Sequence, residues 1–306
     1  MKKLSFVLIL LALSQGIHSQ IIEKVIDSAR IEKLDEVLVK AIRVEASSPI
    51  THSNVSKAEL ATRNLGQDLP ILLNYLPSVV TTSDAGAGIG YTGIRVRGVS
   101  AQSTNITING IPYNDAESLG TFWVDLPDFA SSVESLQLQR GVGTSTNGSG
   151  AFGASINILT DAISKDSQAE ISNTFGSYNT LKHNLKFSTG LLGSNIEISG
   201  RLSQIKSDGY IDRAASDLKS YFLQGAYTDD NTLIKMLVFG GHEITYQAWN
   251  GIDAETLKNN RTFNPSGTYT DDDGTINFHE NEVDNYKQDH YQLHWNQKLI
   301  IIGQLV

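Results

Sequence analysis

Beyond Asp161 the chain alternates between apolar and polar residues with a period of two. Leu181, His183, Leu185, Phe187 and Thr189 share one parity, and Lys182, Asn184, Lys186 and Ser188 the other. Ile196, Ile198, Gly200 and Leu202 alternate with Asn195, Glu197, Ser199 and Arg201. Tyr221, Leu223 and Tyr227 continue the pattern, as do Ile234, Met236 and Val238. Tyr291, Leu293 and Trp295 stand opposite His290, Gln292 and His294. This predicts about six strands with one apolar face, the pattern of a membrane barrel with apolar residues outward and polar ones inward. Soluble antiparallel sheets alternate in the same way. Leu192-Gly193-Ser194 and Asp229-Asp230-Asn231 predict short turns, and the polar stretches 205–219 and 242–285 predict long loops. Alternation is lost at Leu299 to Val306.

Before Asp161 helical and strand periods mix. Ser56 followed by Glu59 predicts a capping box at a helix start. Asp68 is placed to cap a second helix carrying Leu69, Leu72, Leu73 and Leu76, with Pro77 as its stop. Those leucines read as core. Ile94–Ser100, Asn105–Asp115 with a tight turn at Asn109-Gly110, and Val133–Thr160 read as strands and turns. Within the last stretch, Gly148-x-Gly150-x-x-Gly153 fits a dinucleotide fingerprint, which requires a helix to follow it. Ala154–Thr160 alternates and predicts a strand, so no helix N-terminus is available for a pyrophosphate. The nucleotide reading is rejected, and an oxidoreductase with it.

The first residues form a different kind of segment. Lys2 and Lys3 precede an apolar run, Leu4–Leu13, and then Ser14–Gln20. The run is too short to span a membrane and reads as a signal peptide cut after Ser19. No later stretch has the length of a spanning helix, and a membrane-crossing chain without one must be a closed β-barrel.

Val133, Glu134, Arg140 and Gly141, then the Gly/Ser-rich stretch 148–153, then Ile156-Asn157-Ile158 resemble the closing strands of the plug domain of TonB-dependent outer-membrane receptors. The segments IRVRGVS at 94–100, NITINGIPYND at 105–115 and the Asp68–Val79 stretch resemble other plug signatures in the family's order. The resemblance implies an α+β plug domain followed by part of an antiparallel transmembrane β-barrel. It divides the chain into a signal peptide (1–19), a periplasmic segment (20–45), a plug (46–162) and the first barrel strands (163–306). Asp35, Glu36, Val37, Leu38 and Val39 resemble the TonB box, an extended segment that adds to a partner's sheet edge; the bland reading is a first plug strand. The family's barrel has about 22 strands, and six cannot surround a folded plug. Val306 also departs from the family's terminal aromatic residue. The expectation is therefore a truncated receptor, unable to transport on its own.

Further implications concern sites. Matching Arg and Glu residues in the family form an ionic lock between plug and barrel, which assigns Arg97, Glu134 and Arg140 here, with Arg95 as a weaker member. Buried charges must be paired. Tyr113, Asn114, Asp115, Phe122 and Trp123 follow a plug strand and are candidates for a substrate-facing loop, with Phe122 and Trp123 equally placed to be core. Gly86, Gly88 and Gly90 mark a nearby loop. His290 and His294 lie on one strand face about 13 Å apart, too far for easy chelation, and read as solvated lumen residues. Asp271-Asp272-Asp273-Gly274 lacks the alternating ligands of a calcium loop. No nucleophile–base–orienter set is visible, and no cofactor or metal is expected.

Composition narrows partners. There are no cysteines, which excludes disulfides, thiolate metal sites and a lipoprotein anchor, and the net charge of −9 argues against nucleic acid. The expected partners are TonB, outer-membrane lipid and a small ligand such as a ferric siderophore or other iron complex. The alternatives are a passive porin or adhesin barrel, a soluble periplasmic β-module and a non-functional truncated product.

Overall fold

The computed structural model describes residues 43–45, 47–142 and 151–298. The signal peptide, Asp35–Val39, Gly148, Gly150 and Leu299–Val306 lie outside the described residues.

The amino-terminal unit begins with β1 (His52–Ser56) and α1 (Lys57–Arg63). The predicted capping box is present: the Ser56 hydroxyl accepts from the Glu59 amide, and the Glu59 carboxylate accepts from Ser56. The second helix is shorter than the leucine spacing predicts. α2 covers only Leu69–Leu72, and Asp68 makes no side-chain cap. The Asp68 carboxylate turns instead to accept from the Thr92 hydroxyl at 2.9 Å. Burial pushes its pKa well above the carboxylate range. Leu73, at the C-cap, and Leu76, beyond it, remain core residues outside the helix.

β2 (Val79–Ser83) and β3 (Thr92–Val96) form a separate antiparallel pair. β4 (Thr104–Ile108), β5 (Ile111–Pro112), β6 (Val133–Arg140) and β7 (Ala154–Thr160) join β1 in a five-stranded sheet of order β1-β6-β7-β4-β5. The β4–β5 turn falls at Asn109-Gly110, both with positive φ, 52° and 81°, as a two-residue hairpin turn requires. β4 and β7 pair in parallel, the rest antiparallel. Ile106, Ile108, Leu136, Leu138, Ile156 and Ile158 fill one face. The other face is polar yet also buried, with Thr107 donating to Asn157 Oδ1 at 2.8 Å.

The second part is a six-stranded antiparallel sheet, ordered β15-β12-β11-β10-β9-β8. Its strands are β8 (Gln168–Gly176), β9 (Thr180–Ser188), β10 (Ile196–Ser207), β11 (Ser216–Thr228), β12 (Thr232–Tyr246) and β15 (Val283–Gln297). A small hairpin, β13 (Thr268–Thr270) with β14 (Ile276–Phe278), decorates the loop before β15. Apolar residues such as Leu202, Leu223, Met236 and Trp295 point outward and are exposed, while Lys182, Glu197, Arg201 and Gln224 point inward and are buried. Among the described residues the sheet is open, with β8 and β15 at its edges. The loops are shorter than the polar composition predicts. β10 runs to Ser207 and β11 starts at Ser216, while β12 runs to Tyr246 and β15 starts at Val283. Polar residues continue these strands because the backbone ladder extends past the apolar band.

The amino-terminal unit packs on the inward face. Phe129 meets Phe239 and Phe222 with ring centroids 5.3 and 6.4 Å apart. Gly241 lets the backbone come close, since a Cβ there would strike the Asp125 carbonyl and the Pro127 ring. At the centre Asp128, with φ 52°, turns its carboxylate into the sheet. Lys182 Nζ lies 2.6 Å from Oδ1 and Arg201 Nη1 3.5 Å from Oδ2. Asn184 and Ser203 donate to the same Oδ2 at 2.6 and 2.7 Å. Burial opposes ionisation of Asp128, but Arg201 and Lys182 outweigh it and pull its pKa down to about 2.

Asparagine tolerates the left-handed conformation at this position, so Asp128→Asn removes the charge and keeps the turn. It leaves Lys182 and Arg201 buried without a counter-ion, at a cost of about 3 kcal/mol. The expected outcome is a lower urea midpoint and earlier proteolysis of the amino-terminal unit in the detergent-extracted protein. Wild-type resistance in both assays would show that the node does not hold the two parts together.

Candidate functional site

Two places combine polar chemistry with the means to act on it: a mouth between the amino-terminal unit and the sheet, and a clasp beside the first described residues.

The mouth is a cavity of about 260 Å³. The β5 exit and the 120–125 segment form one wall, and the ends of β12 and β15 form the other. Tyr113, Asp115 and Phe122 line it, together with Tyr91, Asp125, Glu243 and Asp284. Among the described residues its lining includes no Lys or Arg. The Tyr113 hydroxyl donates to Gln288 Oε1 at 3.3 Å, and its ring lies 5.1 Å from that of His290. His290 in turn stacks on Phe239 at 4.9 Å, so it packs against protein rather than facing a solvated lumen. Tyr91 donates to Asp284 Oδ2 at 2.5 Å and to Glu243 Oε1 at 3.3 Å. Burial, then the nearby Asp284 charge, pushes Asp125 up to about 7. Burial also raises the phenols of Tyr91 and Tyr113.

The predicted loop residues divide. Phe122 is 46% exposed at the mouth, whereas Trp123 is 3% exposed in the core. Asn114 ties the loop together. Its Oδ1 accepts from the Ile106 amide at 2.7 Å, and its Nδ2 donates to the Thr104 and Leu119 carbonyls. Asp115 accepts from the Ser118 and Glu117 amides, which fixes the turn below the mouth.

The residues assigned to an ionic lock do not gather in one cluster. Glu134 pairs with Lys57 at 3.0 Å. Arg140 donates from Nε to the Pro77 carbonyl at 2.9 Å and from Nη2 to Ser53 Oγ at 2.8 Å. Its pKa is lowered by burial and then by neighbouring Arg97. Arg97 occupies the left-handed turn after β3, with φ 54°. The charged contacts that reach the sheet run from Asp128 to Lys182 and Arg201 and from Asp161 to Lys186 at 2.6 Å, and Lys57, which also pairs with Asp161 at 2.7 Å, links Glu134 to the second of them. A sequence signal for them existed. Lys182, Lys186 and Arg201 stand on the inward parity of strands, where a charge demands a partner.

The clasp involves Arg43 and Val44. The Val44 amide donates to Gln137 Oε1 at 2.9 Å, and Gln137 Nε2 donates back to the Val44 carbonyl at 3.0 Å. Arg43 Nη2 reaches the Ser135 and Asn157 carbonyls at 2.8 and 3.0 Å. Burial lowers the Arg43 pKa to about 10. The clasp thus grips β6 and β7 a few residues after Asp35–Val39.

Comparison with known proteins agrees with this architecture. Residues 44–155 match the TonB-dependent Receptor Plug Domain family. The chain is 32% identical over 180 residues to a vitamin B12 transporter, BtuB, of Vibrio vulnificus, covering 58% of this chain and 28% of that protein. It is 24% identical over 149 residues to a probable TonB-dependent siderophore receptor, PirA, of Acinetobacter baumannii, covering 45% and 20%. The crystal structure of the ferric-catecholate import receptor Fiu from E. coli K12 superposes with a TM-score of 0.62 at 16% identity, over 84% of this chain and 37% of that one. The chain thus spans less than a third of the length of these two sequence relatives. Residues 44–155 thus carry the plug domain of TonB-dependent receptors, and among the described residues an open antiparallel sheet of six barrel-type strands follows it.

Proposed function

We propose that the chain is the plug-bearing part of an outer-membrane receptor that actively takes up a scarce nutrient, a ferric siderophore or another iron complex. The carrying observation is the seating of a plug, through the Asp128 ion pairs and the Phe129 ring contacts, on one face of a sheet whose other face is apolar and exposed. On this reading residues 1–19 are a signal peptide, 20–45 lie in the periplasm, 46–162 form the plug and 163–306 begin the barrel. TonB engages Asp35, Glu36, Val37, Leu38 and Val39 as an added strand. Tension then arrives first at Arg43 and Val44, whose bonds to Gln137, Ser135 and Asn157 hold the plug sheet in its resting form.

The mouth lined by Tyr91, Tyr113, Phe122 and Asp125 receives the ligand. Aromatic rings supply apolar contact and carboxylates fix orientation. With Asp115, Asp125, Glu243 and Asp284 around it, the mouth favours a ligand face presenting hydrogen-bond donors or positive charge. A neutral or cationic complex suits it better than an anionic one. Arg97, Glu134 and Arg140 serve as plug charges whose pairing changes when the plug rearranges.

Deleting residues 35–39 from the gene's whole product is expected to abolish energised uptake of radiolabelled iron complex while leaving binding at the cell surface intact. Uptake at the wild-type rate would remove the TonB-box assignment.

The mouth also makes a pH prediction. Folded Asp125, faced by Glu243, Asp284, Tyr91 and Tyr113, keeps its proton up to about pH 7, whereas the unfolded side chain loses it near about pH 4. Its contribution to stability is therefore complete below about pH 4 and declines as pH rises to about 7. Asp125→Asn is expected to flatten that part of the fall in thermal midpoint between pH 4 and 7. An identical pH slope in both proteins would place the carboxyl in an ordinary solvated environment.

A further inference from the structure

One carboxylate in the mouth lacks a partner. Asp125 is 7% exposed and lines the cavity. The phenols that share this lining donate elsewhere, Tyr91 to Asp284 and Glu243 and Tyr113 to Gln288. Among the described residues no group donates to the Asp125 side chain. Thr121 Oγ1, in the same lining, is buried and likewise unpaired. Buried polar atoms are nearly always hydrogen-bonded, and a buried carboxylate without a cation is costly. Two unpaired groups in one cavity point to a ligand that supplies what both lack.

The surroundings narrow the chemistry of that ligand. A second cavity of about 630 Å³ adjoins the mouth and shares Tyr91, Phe122 and Asp284 with it. Asp84, Glu282 and Trp249 are among its lining. Trp249 is 70% exposed, so its ring and that of Phe122 are both free to take a contact. Among the described residues neither lining includes a Lys or Arg. Organic cations are attracted to aromatic faces as well as to carboxylates. A bare metal ion fits less well, because no group of three or more His, Asp or Glu among the described residues could hold one.

We propose that Asp125 is the seat of an organic cation, an ammonium or guanidinium arm carried by the ligand. The arm passes Phe122 and ends at Asp125, with the Thr121 oxygen accepting a further N–H, while the bulk of the ligand occupies the larger cavity beside Trp249. Asp284 and Glu243 already accept from Tyr91, so Asp125 is the carboxylate left to make the new bond. A ligand without the arm leaves a buried polar group unpaired, and that is a strong basis for rejection. Asp125 thereby sets specificity for iron complexes whose organic part is basic. The inference deepens the uptake reading and rests on the mouth being the ligand site. The arm also competes with a proton. The titratable groups around Asp125 are Tyr91, Tyr113 and Asp115 from the amino-terminal unit and Glu243, Asp284 and Tyr286 from the sheet, with the His290 ring 5.1 Å from that of Tyr113.

The test titrates the gene's whole product in detergent with benzylammonium, and with benzyl alcohol as the uncharged counterpart, by isothermal calorimetry. Asp125→Asn is expected to bind benzylammonium roughly tenfold or more weakly than the wild type at pH 8. Asp125→Glu keeps the charge and is expected to retain binding, which separates charge from misfolding. Benzyl alcohol should not distinguish the three proteins. Burial, then the Asp284 charge, holds the Asp125 carboxyl at about 7, and the arm binds its ionised form. Wild-type affinity for benzylammonium should therefore rise roughly tenfold between pH 6 and pH 8. Equal benzylammonium affinity in wild type and Asp125→Asn overturns the seat, as does an equal loss for benzyl alcohol. A flat pH profile in the wild type overturns it too. Iron-complex uptake that persists without residues 35–39 overturns the receptor reading whatever the titration gives, whereas the calorimetric outcomes bear on Asp125 alone.

Discussion

The plug and the sheet each bury charges that only the other can neutralise. Asp128 is almost wholly buried, as are Lys182 and Arg201. Each would be costly alone, since removing one partner of a buried pair leaves an uncompensated charge. The sheet therefore cannot bare its inward face without penalty, and the plug cannot leave without exposing its own charge. Hydroxyls and amides from both sides complete the shell: Ser131 and Asn64 from the plug, Asn184 and Ser203 from the sheet. With its pKa pulled down to about 2, Asp128 stays ionised across ordinary pH. The node is thus indifferent to ordinary acidification, unlike Asp125 a few residues away, which titrates near 7.

That contrast comes from neighbours. Both carboxyls sit in short turns of one plug segment and both are buried. Asp128 faces cations, while Asp125 faces Asp284 and Glu243. Burial raises both carboxyls; at Asp128 the Arg201 and Lys182 cations override it, whereas at Asp125 the Asp284 charge adds to it. One segment thus carries a fixed anchor and, beside it, a group whose charge can change with pH at the mouth.

What was legible in the sequence was local. The Ser56–Glu59 cap, the Asn109-Gly110 turn and the strand parities depend on residues a few positions apart, and each appears where its pattern predicts. The β7 strand after Gly153 likewise follows from alternation. Long-range pairing was not legible. Nothing near Asp128 announces that its partners lie in β9 and β10, and nothing near Asp68 announces Thr92. Loop lengths erred for a related reason. Composition reports where apolar surface ends, whereas strands end where backbone pairing ends, and on this sheet the two are separated by the polar row of Lys219 and His242. The mouth was half legible: Tyr113, Asp115 and Phe122 announce themselves as aromatic and polar residues after a strand, while Tyr91, Glu243 and Asp284 join them only through the fold.

The two faces of the plug sheet suggest where force can act. One face is packed with isoleucines and leucines, and separating it from its neighbours would expose apolar surface at about 25 cal/mol per Å². The other is a layer of hydrogen bonds running from Val44 to Gln137, from Gln137 to Asn54, and from Arg43 to Asn157. Thr107 continues it to β4, and Asn109 carries it to Thr160 and Gln292 on the sheet wall. Hydrogen bonds can be exchanged for bonds to water at a net cost of about 1 kcal/mol each. A pull at Arg43 and Val44 therefore meets a layer that opens one bond at a time while the apolar face still holds its shape. Under the pull proposed for residues 35–39, a plug with this construction would yield along its polar side first, and the line of yielding bonds leads toward the wall.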